Sequence, residues 1–191
     1  MSGEALQSMI ATAVQASIAL KQQLVPLYPS LARAAELMVD AFERGGKAIF
    51  FGNGGSAADA QHFAAELVGK FHVERRPLSA LALHANSSVV TAIGNDLGYE
   101  QVFARQLRAH ARTGDVAVAI STSGRSRNVI EAAKLKEELG LKLIALTGEY
   151  SEPLAPYADV VLAVPSSSVP RVQEVHILVG HILCEWVERS I

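Results

Sequence analysis

The sequence predicts a three-layer α/β sandwich, with a parallel sheet held between two layers of helices and a helical arm in front of it. Five short runs, at 47–51, 78–84, 115–121, 141–147 and 159–164, are apolar almost throughout and rich in Val, Ile, Leu and Ala. That composition marks strands covered on both faces. The segments between them, at 56–71, 87–93, 99–111 and 126–139, space their apolar residues by three and four, as does a last segment at 169–190. Strands alternating with helices imply right-handed crossovers and one parallel sheet. Half of the 191 residues are hydrophobic and only 19% are charged, so a sizeable core is available.

The arm comes first. Leu6, Ile10, Val14 and Ile18 form one helical stripe, and Leu31, Ala34, Ala35, Met38 and Phe42 form a second. The break falls around Pro26 and Pro29, and Gly45-Gly46 closes the pair. The chain is therefore read as one domain, 1–191, with an arm at 1–45 and an α/β core at 46–191.

The charge balance excludes several classes of function. Seventeen basic against nineteen acidic residues give a net charge of −2 with no block of one sign. This is no footprint for nucleic acid or an anionic membrane. The first basic residue is Lys21, no run approaches the length needed to cross a bilayer, and Cys184 has no intrachain partner. The expectation is a cytoplasmic protein that binds a small molecule.

In a doubly wound sheet, ligands collect where strands end in loops near the switch in strand order. Three such segments stand out. Gly52-Asn53-Gly54-Gly55-Ser56 joins a strand to a helix start, where free N–H groups favour an anion, although it is neither a Walker loop nor G-x-G-x-x-G. Taken alone it reads equally well as a tight βα turn. Ser121-Thr122-Ser123-Gly124-Arg125-Ser126 offers four hydroxyls between a strand and a helix. Capping accounts for one of them, at Ser126, and a phosphate cradle accounts better for all four. The third, Gly94-Asn95-Asp96, is read as a loop after the short helix that follows the second strand.

On the helix after the first loop, His62 and Glu66 stand one turn apart and can face one point, a pair able to hold a metal or a proton. Such pairs are more often surface hydrogen bonds. The last helix carries Gln173, His176 and His181 among apolar residues. For His176 the better reading is a buried structural histidine. Cys184 reads as a small buried hydrophobe and Trp186 as core or subunit interface.

Taken together, FGNGGSAADAQHFAAELVGKF, TAIGNDLGYEQVFARQ, ISTSGRSRNV and RVQEVHILVGHILCEWVE resemble the phosphoheptose isomerases of the sugar isomerase, or SIS, superfamily across nearly the whole chain. The resemblance implies the SIS fold with a five-stranded sheet and a homotetramer with active sites at subunit interfaces. It also implies interconversion of sedoheptulose 7-phosphate and D-glycero-D-manno-heptose 7-phosphate, the first step of bacterial ADP- or GDP-heptose biosynthesis for lipopolysaccharide. It assigns Ser121, Thr122, Ser123 and Ser126 to phosphate, with Asn53, Gly54, Gly55, Ser56, Asn95 and Asp96 in sugar-contacting segments and Glu66 and Gln173 also among the substrate-binding residues. Glu66 and His181 match the acid–base pair, and His62, Glu66, Gln173 and His181 match the zinc ligands of some members, one ion per subunit.

Gln173 and His181 are eight residues apart, about 12 Å along a helix, so they share one ion only if Gln173 sits at the helix start or the side chains lean together. The chain departs from the family pattern at Lys70, where many relatives carry Arg, and at Pro170. Relatives of the DiaA type share the fold but bind the initiator of chromosome replication, and they lack the glutamate matching Glu66. Its presence favours the enzyme. Another sugar phosphate isomerase is the remaining alternative, while a sensor would need a DNA-binding domain for which 191 residues leave no room.

Overall fold

The computed structural model describes residues 2–191. The arm is α1 (Gly3–Gln22), a 3₁₀ turn at Val25–Leu27 and α2 (Tyr28–Glu43). Pro26 and Pro29 fall in first turns, where a missing N–H costs nothing. The core follows as β1 (Ala48–Gly52), α3 (Gly55–Val68), β2 (Ala80–Ala82), α4 (Ser87–Leu97), a 3₁₀ turn at Tyr99–Gln101, α5 (Val102–His110), β3 (Val116–Ser121), α6 (Arg127–Ala133), α7 (Lys136–Leu139), β4 (Lys142–Thr147), a 3₁₀ turn at Ala155–Tyr157, β5 (Val160–Ala163) and α8 (Val169–Ser190). All pairings are parallel, in the order β2-β1-β3-β4-β5. The order reverses between β1 and β3, so the turns after these two strands lie at the switch point.

Side-chain alternation along the strands divides the core in two. Phe50, Val118, Ile120, Ile144 and Leu146 pack with α2, α3 and α8, whereas Ile49, Phe51, Ala117, Ala119 and Leu143 pack with α5 and α6. The arm is different. Of α1 only Leu20 is buried, and Leu6, Met9, Ile10, Val14 and Ile18 are each about half exposed. Arg171 ties it down, donating from Nη1 to the Ala13 carbonyl at 2.6 Å and pairing through Nη2 with Glu174. Pro170 occupies the first turn of α8, where proline is tolerated.

Three sequence expectations need correction. The second strand spans three residues instead of seven and is half-buried, because it is an edge strand with β1 as its one neighbour. The helix expected at 126–139 breaks into α6 and α7, because Leu135 bonds to the Ala132 carbonyl in a tighter turn and tucks its side chain inward. Asn95 and Asp96 are not in a loop. They lie in the last turn of α4, which runs on to Leu97 and stops at Gly98, where φ is +89°.

Candidate active site

The turns after β1 and β3 are joined by a reciprocal amide pair. Asn53 Nδ2 donates to Asn128 Oδ1 at 2.8 Å, and Asn128 Nδ2 donates back to Asn53 Oδ1 at 2.9 Å. Tyr99 Oη donates to the same Asn53 oxygen at 3.1 Å. Asn128 is buried, and its Oδ1 also accepts the Val129 N–H. Neither Asn128 nor Tyr99 stood among the residues expected from sequence, although Asn128 closes the ISTSGRSRN motif.

Within the serine turn, Ser121 Oγ donates to Ser126 Oγ at 3.0 Å, which draws the first and last hydroxyls together. Ser126 stands at the N-cap of α6, yet its side chain caps nothing, so its hydroxyl faces the turn and not the helix. Ser121 is buried, Thr122 half-buried and Ser123 exposed. The turn is fixed from outside as well: Gly148 N–H donates to the Thr122 carbonyl, and the Arg125 guanidinium lies 4.7 Å from the centre of the Tyr150 ring. Ser56, in the first turn of α3, is buried beside Gly52. Asn95 and Asp96 are exposed and bond to one another, Nδ2 to Oδ1 at 2.7 Å.

A second cluster lies further along α3. His62 Nε2 is 2.9 Å from His181 Nε2 and 3.4 Å from Glu66 Oε1. One atom from each of His62, Glu66 and His181 falls within 4.8 Å of the others, the one such group found among the described residues. These residues meet because α3 and α8 approach closely at Gly180, where an added Cβ would stand 2.0 Å from the Phe63 ring. Tetrahedral coordination at about 2.0–2.2 Å sets donor atoms about 3.3 Å apart, so two imidazoles and a carboxylate at these separations fit a zinc ion.

Gln173 is not in that group as it stands. Its amide fills the space where a side chain on Gly55 would lie and donates to Asp59 Oδ1 at 3.4 Å, one turn before His62. Gln173 is the fifth residue of α8, so it and His181 lie within one continuous helix, about 12 Å apart along its axis, and a shared ion requires their side chains to lean together. Asp59 is buried, its Oδ2 has no partner among the described residues, and burial raises its carboxyl above the usual range despite Gln173 and His62. Sequence reasoning passed over it.

The remaining residues of α8 divide cleanly. His176 is fully buried, its Nε2 meets the Thr147 carbonyl at 3.1 Å, and burial pushes its pKa down to about 4, which makes it a neutral structural ring as expected. Cys184 is buried and its thiol is pushed up to about 12. Trp186 is 55% exposed, so it is not core. It lines a groove of about 270 Å³ with Tyr28, Leu31, Ala35 and Ile182.

Comparison with known proteins decides what this arrangement belongs to. The SIS domain family matches residues 14–148. The phosphoheptose isomerase of Citrifermentans bemidjiense is 52% identical over 165 residues, 86% of each chain, and that of Helicobacter pylori strain P12 is 48% identical over 171 residues, 90% of this chain and 89% of its own. The chain belongs to the phosphoheptose isomerase family of SIS-domain proteins. The solved structure of phosphoheptose isomerase GmhA from Neisseria gonorrhoeae superposes on this isomerase with a TM-score of 0.90 at 45% identity, covering 96% of this chain and 99% of that one. These matches do not favour the replication-initiator alternative. No helix of the isomerase among the described residues is long and apolar enough to cross a membrane.

Proposed function

We propose that this isomerase interconverts sedoheptulose 7-phosphate and D-glycero-D-manno-heptose 7-phosphate by moving a proton between C1 and C2. The observation that carries the reading is the meeting of Glu66, from α3, with His181, from α8, in one cluster. Aldose–ketose exchange needs a base for carbon and an acid–base partner for oxygen. Glu66 takes the C1 proton of the ketose while His181 protonates O2, giving a neutral enediol. His181 then takes the O1 proton, and Glu66 returns its proton to C2. Oε1 of Glu66 faces His62 Nε2 at 3.4 Å.

The far end of the sugar phosphate belongs to the Ser121, Thr122, Ser123 and Ser126 turn, with Ser56 beside it and Asn53, Gly54, Gly55, Asn95 and Asp96 toward the sugar. Phosphate binding remote from C1 and C2 orients the reacting carbons, so losses there lower turnover as well as affinity. A zinc ion on His62, Glu66 and His181, joined by Gln173 after it leaves Asp59, would polarise the sugar oxygens as a Lewis acid, and Glu66 and His181 would exchange protons only when released from it. Elemental analysis is expected to find about one zinc per chain, with activity lost on chelation and restored by Zn²⁺. Full activity in metal-free protein would reduce His62 to a contact residue.

The exposed stripe of α1 and the Trp186 groove favour assembly into the expected homotetramer, with sites at subunit boundaries. Native mass spectrometry should return four times 20.3 kDa. The balanced charge and the absence of an intrachain disulfide agree with a cytoplasmic enzyme without nucleic-acid or membrane partners. The reaction itself is tested by incubating the protein with sedoheptulose 7-phosphate and following the aldose by NMR. No aldose from folded, zinc-loaded protein would refute the reading.

A further inference from the structure

After Gly69 the chain leaves α3 and passes over the end of α8, where a single carboxylate holds it. Glu188, buried, accepts the N–H groups of Phe71 at 2.9 Å, His72 at 2.6 Å and Val73 at 2.9 Å. Arg75 completes the clamp. Its Nε is 3.6 Å from Glu188 Oε1, and its Nη2 donates to the Glu66 carbonyl at 2.9 Å. A buried carboxylate is costly unless its lone pairs are met, and here three N–H groups meet them while the guanidinium charge lies alongside. Against the opposing effect of burial, these contacts hold the Glu188 carboxyl below the usual carboxylate range.

What the clamp presents is Phe71. Its ring belongs to neither core cluster, yet it stacks on the His181 imidazole with centres 5.3 Å apart and planes 26° from parallel. A ring stacked in this way opposes rotation of the imidazole about its side-chain bonds. The segment is thus tied at both ends to the reacting cluster, through Phe71 to His181 and through Arg75 to the turn that carries Glu66.

We propose that Phe71 and Glu188 are positioning residues for the isomerisation: the Glu188 carboxylate fixes the segment after α3, and the ring it carries keeps His181 Nε2 aimed at the point shared with His62 and Glu66. This rests on the acid–base reading of His181 given above. Small misplacements of a reacting group cost up to about a hundredfold in rate.

The test compares Phe71→Ala and Phe71→Tyr with wild type and His181→Ala, all zinc-loaded, by kcat, KM and thermal melting. Phe71→Ala should lower kcat by about tenfold to a hundredfold, with KM within about twofold and the melting temperature nearly unchanged. Phe71→Tyr, which keeps a stacking ring, should restore most of kcat. Glu188→Gln should lower kcat in the same direction, and if it does not fold, the Phe71 pair still decides. A wild-type kcat in Phe71→Ala, or a loss confined to KM, while His181→Ala is inactive, overturns the proposal alone. An active His181→Ala overturns the acid–base reading, and this proposal falls with it.

Discussion

The turns after β1 and β3 hold their polar groups through bonds to each other and to the sheet, whereas the cluster on α3 and α8 depends on how closely two helices approach. At the first, Asn53 and Asn128 exchange two hydrogen bonds, and Ser121 donates to Ser126. At the second, His62, Glu66 and His181 are half-buried or exposed, and their meeting is set by Gly180 and the Glu188 clamp. A group that must grip one dianion in one place benefits from a rigid, internally bonded turn. On the proposed reading the second cluster exchanges protons, which requires access, and its groups are placed by their scaffold.

The largest effect should come from emptying the helical cluster. Glu66→Gln and His181→Ala are each expected to lower kcat by about 10² to 10⁴-fold while circular dichroism and melting stay near wild type. Near-normal rates in either would end the assignment. Beneath the cluster, His176 offers a contrast in kind, since it is an imidazole on the same helix with no solvent. Its folded pKa lies near 4 against 6.5 in the free side chain, so the unfolded chain takes up the proton first. The stability it contributes is complete above pH 6.5 and is lost as pH falls through 4, a change of order 3 kcal/mol. Urea midpoints of wild type and His176→Phe across that window should differ in slope, and parallel curves would refute it.

A third prediction strikes the helix contact itself. Gly180→Ala gains about 1 kcal/mol of helix propensity but drives a methyl against the Phe63 ring. Overpacking of this kind costs about 1–3 kcal/mol, so the variant should be less stable by denaturant titration and less active as the helices part. An unchanged midpoint would show that the close approach is not required. The smallest effect is expected at the turns. Ser126→Ala removes one hydroxyl, about 1 kcal/mol, and should lower kcat/KM several-fold and raise KM for the phosphate-bearing sugar.

Much of this was legible in the sequence, and the reasons are physical. Five apolar runs are enough to give the strand count, because a parallel sheet covered on both faces leaves no polar alternation to confuse the signal. His62 and Glu66 are legible as a pair because one helical turn separates them. His181 joined them through resemblance, since 119 residues separate the two histidines and no local pattern reports that distance. Asn128 and Glu188 were missed for a related reason: each does its work across a sequence gap, and neither residue type is unusual where it stands. Asn95 and Asp96 were placed in a loop because Gly94 resembles a helix stop, when the stop is Gly98, the residue with positive φ. Trp186 reads as core or subunit interface from sequence because apolar spacing on a helix is the same whether the residue meets a core or the surface, and its 55% exposure removes the first of these.

The central claim, that a carboxylate on α3 and an imidazole on α8 share the proton transfer, is met most directly by NMR of sedoheptulose 7-phosphate in D₂O with wild type and with folded, zinc-loaded Glu66→Gln. Wild type should yield aldose, with solvent deuterium entering at C2 to the extent that the carried proton exchanges, whereas Glu66→Gln should yield neither aldose nor deuterated ketose on the same timescale. Aldose formed by that variant at a rate near wild type would contradict the account.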